Sequence, residues 1–198
     1  MNYKDFFESQ RSVCSLPKWE GLPDIELYMD QVITLMTKYF GGLSANGEPL
    51  LTPSMINNYV KNEIIPAPVK KKYSRTHLFR LIIICVMKPV LPIPDIGRLI
   101  ETLLKTKSEA EVMDIFAEQY ESEYRSNIGV IESAVEQRFG ETAADDEALC
   151  LSIMHAAAIS SGSKRYAENT LAELNKQPSP SAEKPKKEKK KKPAKPEE

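Results

Sequence analysis

A polar set recurs at helical spacing near the middle of the chain: Ser54, Asn57, Asn58 and Lys61. On a helix these residues point largely away from Met55, Ile56, Tyr59 and Val60. An Asn amide donates and accepts at once, which matches an adenine edge in a major groove and discriminates by about 1–3 kcal/mol. Ser54 and Lys61, at the ends of the set, suit phosphate oxygens. Lys70, Lys71 and Lys72 follow, with Arg75 and Arg80 behind them. Three or four phosphates neutralised there give a log–log salt slope of about −3. The lysines read equally well as a solvated turn, and Arg80 as the partner of an acidic residue in the body. Tyr59 and Tyr73 read as core.

Other chemistry is poorly provided for. His77 and His155 are the only histidines, and neither has a second ligand at metal spacing. His77, one turn into a helix, is expected at the surface, and His155, among alanines, in the core. Cys14, Cys85 and Cys150 are far apart with no CxxC, against a disulfide framework or a thiolate zinc site. Cys85 lies in the most apolar stretch and is expected to be inert. No GxGxxG or GxxxxGK[ST] loop occurs. The carboxylates from Glu109 to Glu123 read as a solvated helix face, and Asp145-Asp146-Glu147 as a helix start. No catalytic residue, metal or cofactor is expected, and the chain reads as no enzyme.

Charge narrows the partner. The chain has 198 residues, 41% hydrophobic and 28% charged, with a formal net charge of −1. Residues 52–104 hold 8 basic and 3 acidic residues inside an otherwise acidic body. A local anionic partner fits that segment, as does a solvated basic face. Residues 177–198 hold 8 Lys and 4 Glu with almost nothing apolar, so a disordered Lys/Pro-rich tail is expected. No apolar run of ~18 residues predicts a membrane span. The start, MNYKDFFESQ, lacks a leader's apolar core, and a cytoplasmic location is expected.

The elements that must position these residues read as helices. Asn2–Val13 is a weak helix anchored by Phe6 and Phe7, and Trp19 packs the connector that follows. Asp24 caps a helix whose buried face is Ile25, Tyr28, Met29, Val32, Leu35, Met36 and Tyr39, ended by Gly41-Gly42. Thr52 at N-cap and Pro53 at N1 open the short polar helix. Ser74 caps a buried helix through LIIICV, and Pro94-Asp95 restarts another. Ser108 and Glu111 form a capping box. Val112, Phe116, Tyr120, Tyr124, Ile128, Ile131, Val135 and Phe139 then step by fours and one three as a single apolar stripe. It either closes the chain's own bundle or pairs with a second chain. Thr142 opens a last helical region with a break expected at Ser160–Ser163.

The string "TPSMINNYVKNEIIPAP…KKKYSRTHLFRLIIICVMK…LPIPDIGRLIETL" resembles the winged helix-turn-helix head of the MerR regulators. Ile56 and Tyr59 match the anchors of that family's recognition helix, and Ile64-Ile65-Pro66 its exit. Tyr73-Ser74 matches its helix opener, and Ile96 and Leu99 the following helix. The chain departs from the pattern at Asn57-Asn58, where Arg is common, and at Glu63, where Gly is usual. Its wing is short and the turn before the recognition helix long. The strings "LPKWEGLPDIELYMDQVITLM", "TPSMINNYVK" and "KKKYSR" also resemble a bacterial family catalogued only as domain of unknown function 1836, from about Leu16 to Phe139.

The resemblances imply an all-α protein: an N-terminal helix and connector (1–23), a MerR-like head (24–104), and a helical region (105–176) before the tail (177–198). The MerR resemblance and the basic segment together point to a transcriptional regulator of double-stranded DNA, and the residue chemistry makes Ser54, Asn57, Asn58, Lys61, Lys70, Lys71, Lys72 and Arg75 the candidate contacts. The same resemblance also favours a homodimer through Val112, Phe116, Tyr120, Tyr124, Ile128, Ile131 and Val135. The alternative is a helical protein–protein interaction module whose head no longer binds DNA, a reading that Glu63 and the short wing motivate.

Overall fold

A computed structural model describes residues 3–11, 15–41, 49–139 and 145–176. These form seven α-helices, in chain order α1 (Tyr3–Arg11), α2 (Met29–Phe40), α3 (Pro53–Lys61), α4 (Arg75–Met87), α5 (Ile93–Leu103), α6 (Glu109–Phe139) and α7 (Asp145–Lys176), plus a single 3-10 turn at Trp19–Gly21. Among the described residues no strand forms, and the only sheet-like pairing is two isolated antiparallel bridges. The chain is all-α, as its sequence predicts.

The centre of the molecule is α4. Every residue from His77 to Cys85 is buried, so this helix has no solvent face. Its β-branched run stays helical because thirteen residues follow a defined start. The Ser74 side chain accepts from the N3 backbone, and the His77 ring accepts from the Ser74 N–H at 2.9 Å. Helices α2, α3, α5 and the first half of α6 contribute to the same core through Met36, Ile56, Ile96 and Met113. The Trp19 ring packs edge-on against Phe79 at 6.2 Å, and the Trp19 backbone N–H donates to Asp114 Oδ1 at 2.7 Å. The connector is therefore fastened to the body as expected.

A second, much smaller cluster lies at the far end. Phe7, Ile131, Val135 and Ala148 form it, from α1, α6 and α7. The apolar stripe of α6 thus serves two cores within one chain. Val112 lies in the main core, and Phe116 and Tyr120 pack against it alongside Ala167 and Leu171 of α7. Ile128 packs on the distal cluster, Ile131 and Val135 belong to it, and Tyr124 is half-buried between the two. The Ser108–Glu111 box forms, with the Ser108 N–H donating to Glu111 at 2.8 Å and the Glu111 N–H donating to Ser108 Oγ at 3.2 Å.

Several expectations are corrected. Helix α2 begins at Met29, not after Asp24, because Leu27 exchanges both backbone hydrogen bonds with Tyr73 at 2.9 and 2.8 Å. That bridge holds the preceding segment extended, and Tyr28 takes the N-cap with Gln31. Ile25 and Tyr28 are consequently exposed rather than on a buried face. Helix α5 begins one residue before Pro94. His77 is buried, since α4 is enclosed on all sides, and His155 is half-exposed because that part of α7 is not. Helix α7 runs unbroken through Ser160–Ser163. Packing of Ile159 and Ala167 on the two clusters outweighs the weak helix preference of that stretch. Asn2, Cys14, Gly42, Gly140, Thr142 and the 177–198 tail lie outside the described residues, as does the Phe139 side chain.

Candidate nucleic-acid interface

Helix α3 is set by its two ends. Thr52 Oγ1 accepts from the Met55 N–H at 3.2 Å, and Pro53 occupies the first turn, where its missing N–H costs nothing. At the other end the Ile64 N–H bonds Tyr59 O at 2.9 Å and the Glu63 N–H bonds Val60 O at 3.0 Å. This is a Schellman closure, which requires a left-handed residue just past the helix. Glu63 supplies it with φ 58°, the position where the MerR pattern has glycine. Helix α5 braces this exit closely: a side chain at Gly97 would lie 3.2 Å from Ile64.

Ile56 and Tyr59 anchor α3 to the core, while Ser54, Asn57, Asn58 and Lys61 are exposed together. Burial raises the Tyr59 and Tyr73 phenol pKa values, consistent with core residues. Two further residues join the polar face. Met55 is exposed rather than inward. Asn62 donates to Asn58 O at 2.8 Å and to Asn58 Oδ1 at 3.0 Å. That contact orients the Asn58 amide and leaves its NH2 to donate outward. The signal for Asn62 was its position directly after Lys61, where a C-cap falls.

The lysine run forms a two-residue reversal. Val69 and Lys72 exchange backbone hydrogen bonds at 3.1 and 2.9 Å, with Lys70 and Lys71 between them. Both have positive φ, 50° and 64°. Such turns favour Asn-Gly, because left-handed backbone costs other residues on the order of 1–3 kcal/mol each. Two exposed lysines therefore sit where glycine would be easier. Tyr73, bonded to Leu27, docks this turn against the segment before α2.

The structure separates the other two cations from the exposed set. Lys72 Nζ lies 3.9 Å from Glu26 and 5.7 Å from the Tyr28 ring centre. The Arg75 guanidinium lies 5.4 Å over the Trp19 ring, with Nε 3.5 Å from Pro23 O and one terminal nitrogen 3.9 Å from Glu20. Arg80 is nine-tenths buried and pairs with Glu101 at 2.6 Å, so its reading as an ion-pair partner holds. Arg80, Glu101, Lys61 and Glu63 share a polar cleft of about 370 Å³ beneath the end of α3.

Burial pushes the Cys85 thiol up to about 12, so it carries no thiolate at neutral pH. Among the described residues no group of three or more His, Cys, Asp or Glu could hold a metal ion. No helix among them is long and apolar enough to cross a membrane.

A family model described as a domain of unknown function (DUF1836) matches residues 17–126. No curated protein matches the chain, and no solved structure matches it. The family match takes in α2 to α5 and the first part of α6, and stops short of Phe139.

Proposed function

The chain belongs to the DUF1836 family, and from its own geometry we propose that it is a DNA-binding regulator that presents α3 to the major groove and the Lys70-Lys71 turn to the flanking backbone. The observation that carries this reading is the exposed face of Ser54, Asn57, Asn58 and Lys61 on a helix fixed at both ends. Asn57, with no side-chain partner among the described residues, and Asn58 are the base-reading candidates. Ser54, Lys61, Lys70 and Lys71 are the phosphate contacts. Lys72 and Arg75 serve a supporting role, holding the turn and the start of α4 against the body.

The test is a duplex-DNA titration at two salt concentrations. The full chain, a chain ending at Lys176, and that shorter chain with Lys70→Ala and Lys71→Ala are compared. The shorter chain is expected to bind, and the double change to reduce the salt slope by about 2. Asn57→Ala is expected to cost about 1–3 kcal/mol on a preferred site and little elsewhere. Binding that vanishes with the tail alone overturns the reading. It would favour the interaction module instead, which Met55 and Glu63 on the same end of the molecule also support. A homodimer would place two heads on two half-sites. Because Val112, Ile131 and Val135 are buried in the chain's own two cores, pairing through them requires α1 and α7 to move aside, and sedimentation of the full chain tests whether it occurs.

A further inference from the structure

A cavity of about 420 Å³ opens where α4, α5, the start of α6 and the end of α7 meet. Its interior is Ile83, Met87, Leu99 and Phe116, with Leu174 closing one side. Small-molecule sites in helical proteins have this size and lining, on the order of 300–1,000 Å³ and mostly apolar. Leu103 and Ile115 form part of the wall and are about half exposed, although both are large and apolar. A ligand seated here would cover them.

The polar groups of the wall narrow the ligand. Thr102 Oγ1 is spent on Arg98 O at 2.8 Å, and Gln119 donates to Glu123 at 3.1 Å. Among the described residues Lys107 is the one charged residue of the wall, and it forms no salt bridge with any of them. The carboxylate that senses its charge, Glu111, is held by the Ser108 N–H and hydroxyl, each at 2.8 Å. Lys105 adds a second cation in the same turn between α5 and α6. An apolar chamber with cations at its edge matches an apolar chain that ends in an anion.

We propose that this cavity binds a medium-chain fatty-acid carboxylate, with the acyl chain among Ile83, Leu99 and Phe116 and the carboxylate at Lys107. The occupant would also tie the end of α7 to the head. Leu174 forms part of the wall, and Arg98 of α5 donates to Asn175 on the next residue of α7. The site lies apart from the α3 face, so it stands whether or not the chain reads DNA.

The test is calorimetric titration of the full chain with decanoate, decanol and decyltrimethylammonium, each below self-association. Decanoate is expected to saturate one site, and decanol to bind about tenfold more weakly for want of the charge-assisted contact. Lys107→Glu is expected to weaken decanoate about tenfold and leave decanol unchanged. Ile115→Asp is expected to weaken both. Both positions are exposed, and an unchanged thermal midpoint confirms that each variant folds. Hydrogen exchange at the end of α7 is expected to slow with decanoate bound. No saturable binding, equal binding of the cationic chain, or indifference of decanoate to Lys107→Glu each overturns the proposal.

Discussion

Helices α4 and α7 solve the same problem in opposite ways. The shorter, thirteen residues long, is buried along its whole middle. The longer, thirty-two residues, buries only Ala148 and Ser152 among its described side chains and leaves Ile153, Met154 and Tyr166 largely exposed. Apolar area removed from water, not helix length, governs what a helix contributes. The head around α4 should therefore hold most of the stability, and the distal part of α6 with α1 and α7 should open at lower cost. The distal part has one small apolar cluster, supported by an ion pair between Arg11 and Glu132. The family match follows the same division, covering the head and ending within α6.

The largest contrast should appear on core truncation. Ile82→Ala is expected to cost about 4 kcal/mol, because a fully enclosed site leaves a cavity. Val135→Ala in the distal cluster should cost about 2 kcal/mol, with fewer neighbours to lose. Urea unfolding of both variants checks this, and equal costs would break the comparison. The two ends of α3 come next, with opposite signs. Thr52→Ala should destabilise by about 1 kcal/mol through loss of the cap. Glu63→Gly should stabilise by about 1 kcal/mol, because φ 58° suits glycine.

The same change in the two regions sharpens the contrast. Gly129→Ala in α6 meets open space and should stabilise by up to about 1 kcal/mol. Gly97→Ala should lose that gain, because the new methyl presses on Ile64 at 3.2 Å. Thermal midpoints of the two variants give the comparison directly.

The smallest effect near neutral pH concerns His77. Burial lowers its pKa from the ordinary 6.5, and its Nδ1 already accepts from the Ser74 N–H. The charged neighbours that act on it are Arg80, which lowers the pKa, and Glu109, which raises it. As pH falls through 6.5 the unfolded chain takes up a proton that the folded chain resists. Stability from this group is thus full above 6.5 and declines on acidification, with a slope below about 1.4 kcal/mol per pH unit. His77→Gln should flatten that part of the profile in pH-dependent urea unfolding.

The features legible in advance were those written within a few residues of one another. Thr52-Pro53, Ser108 with Glu111, and the inward Ile56 and Tyr59 depend on spacing that any helix imposes. Trp19 was also readable, because a lone tryptophan in a connector has few ways to be satisfied, whereas for Arg80 the sequence left phosphate contact and ion pair equally open and burial beside Glu101 decided it. The polar face of α3 followed from the same periodicity. What escaped was decided at long range. The start of α2 depends on Leu27 meeting Tyr73, far along the chain, and local propensity favoured an earlier start at Asp24. Lys72 and Arg75 looked equivalent to Lys70 and Lys71 in the sequence, yet Tyr28, Glu26 and Trp19 engage the first pair only.

By itself the sequence determined an all-helical chain, the capped starts at Thr52, Ser74 and Ser108, and which side of α3 is polar, because hydrogen-bond caps and helical periodicity are local. Only the tertiary structure decided that the α6 stripe is divided between two cores and that α7 continues through a weak stretch. It also buried His77 and left Lys70 and Lys71 as the exposed tip of a strained turn. Those outcomes depend on how much apolar surface distant segments can cover together, and no single stretch of sequence carries that information.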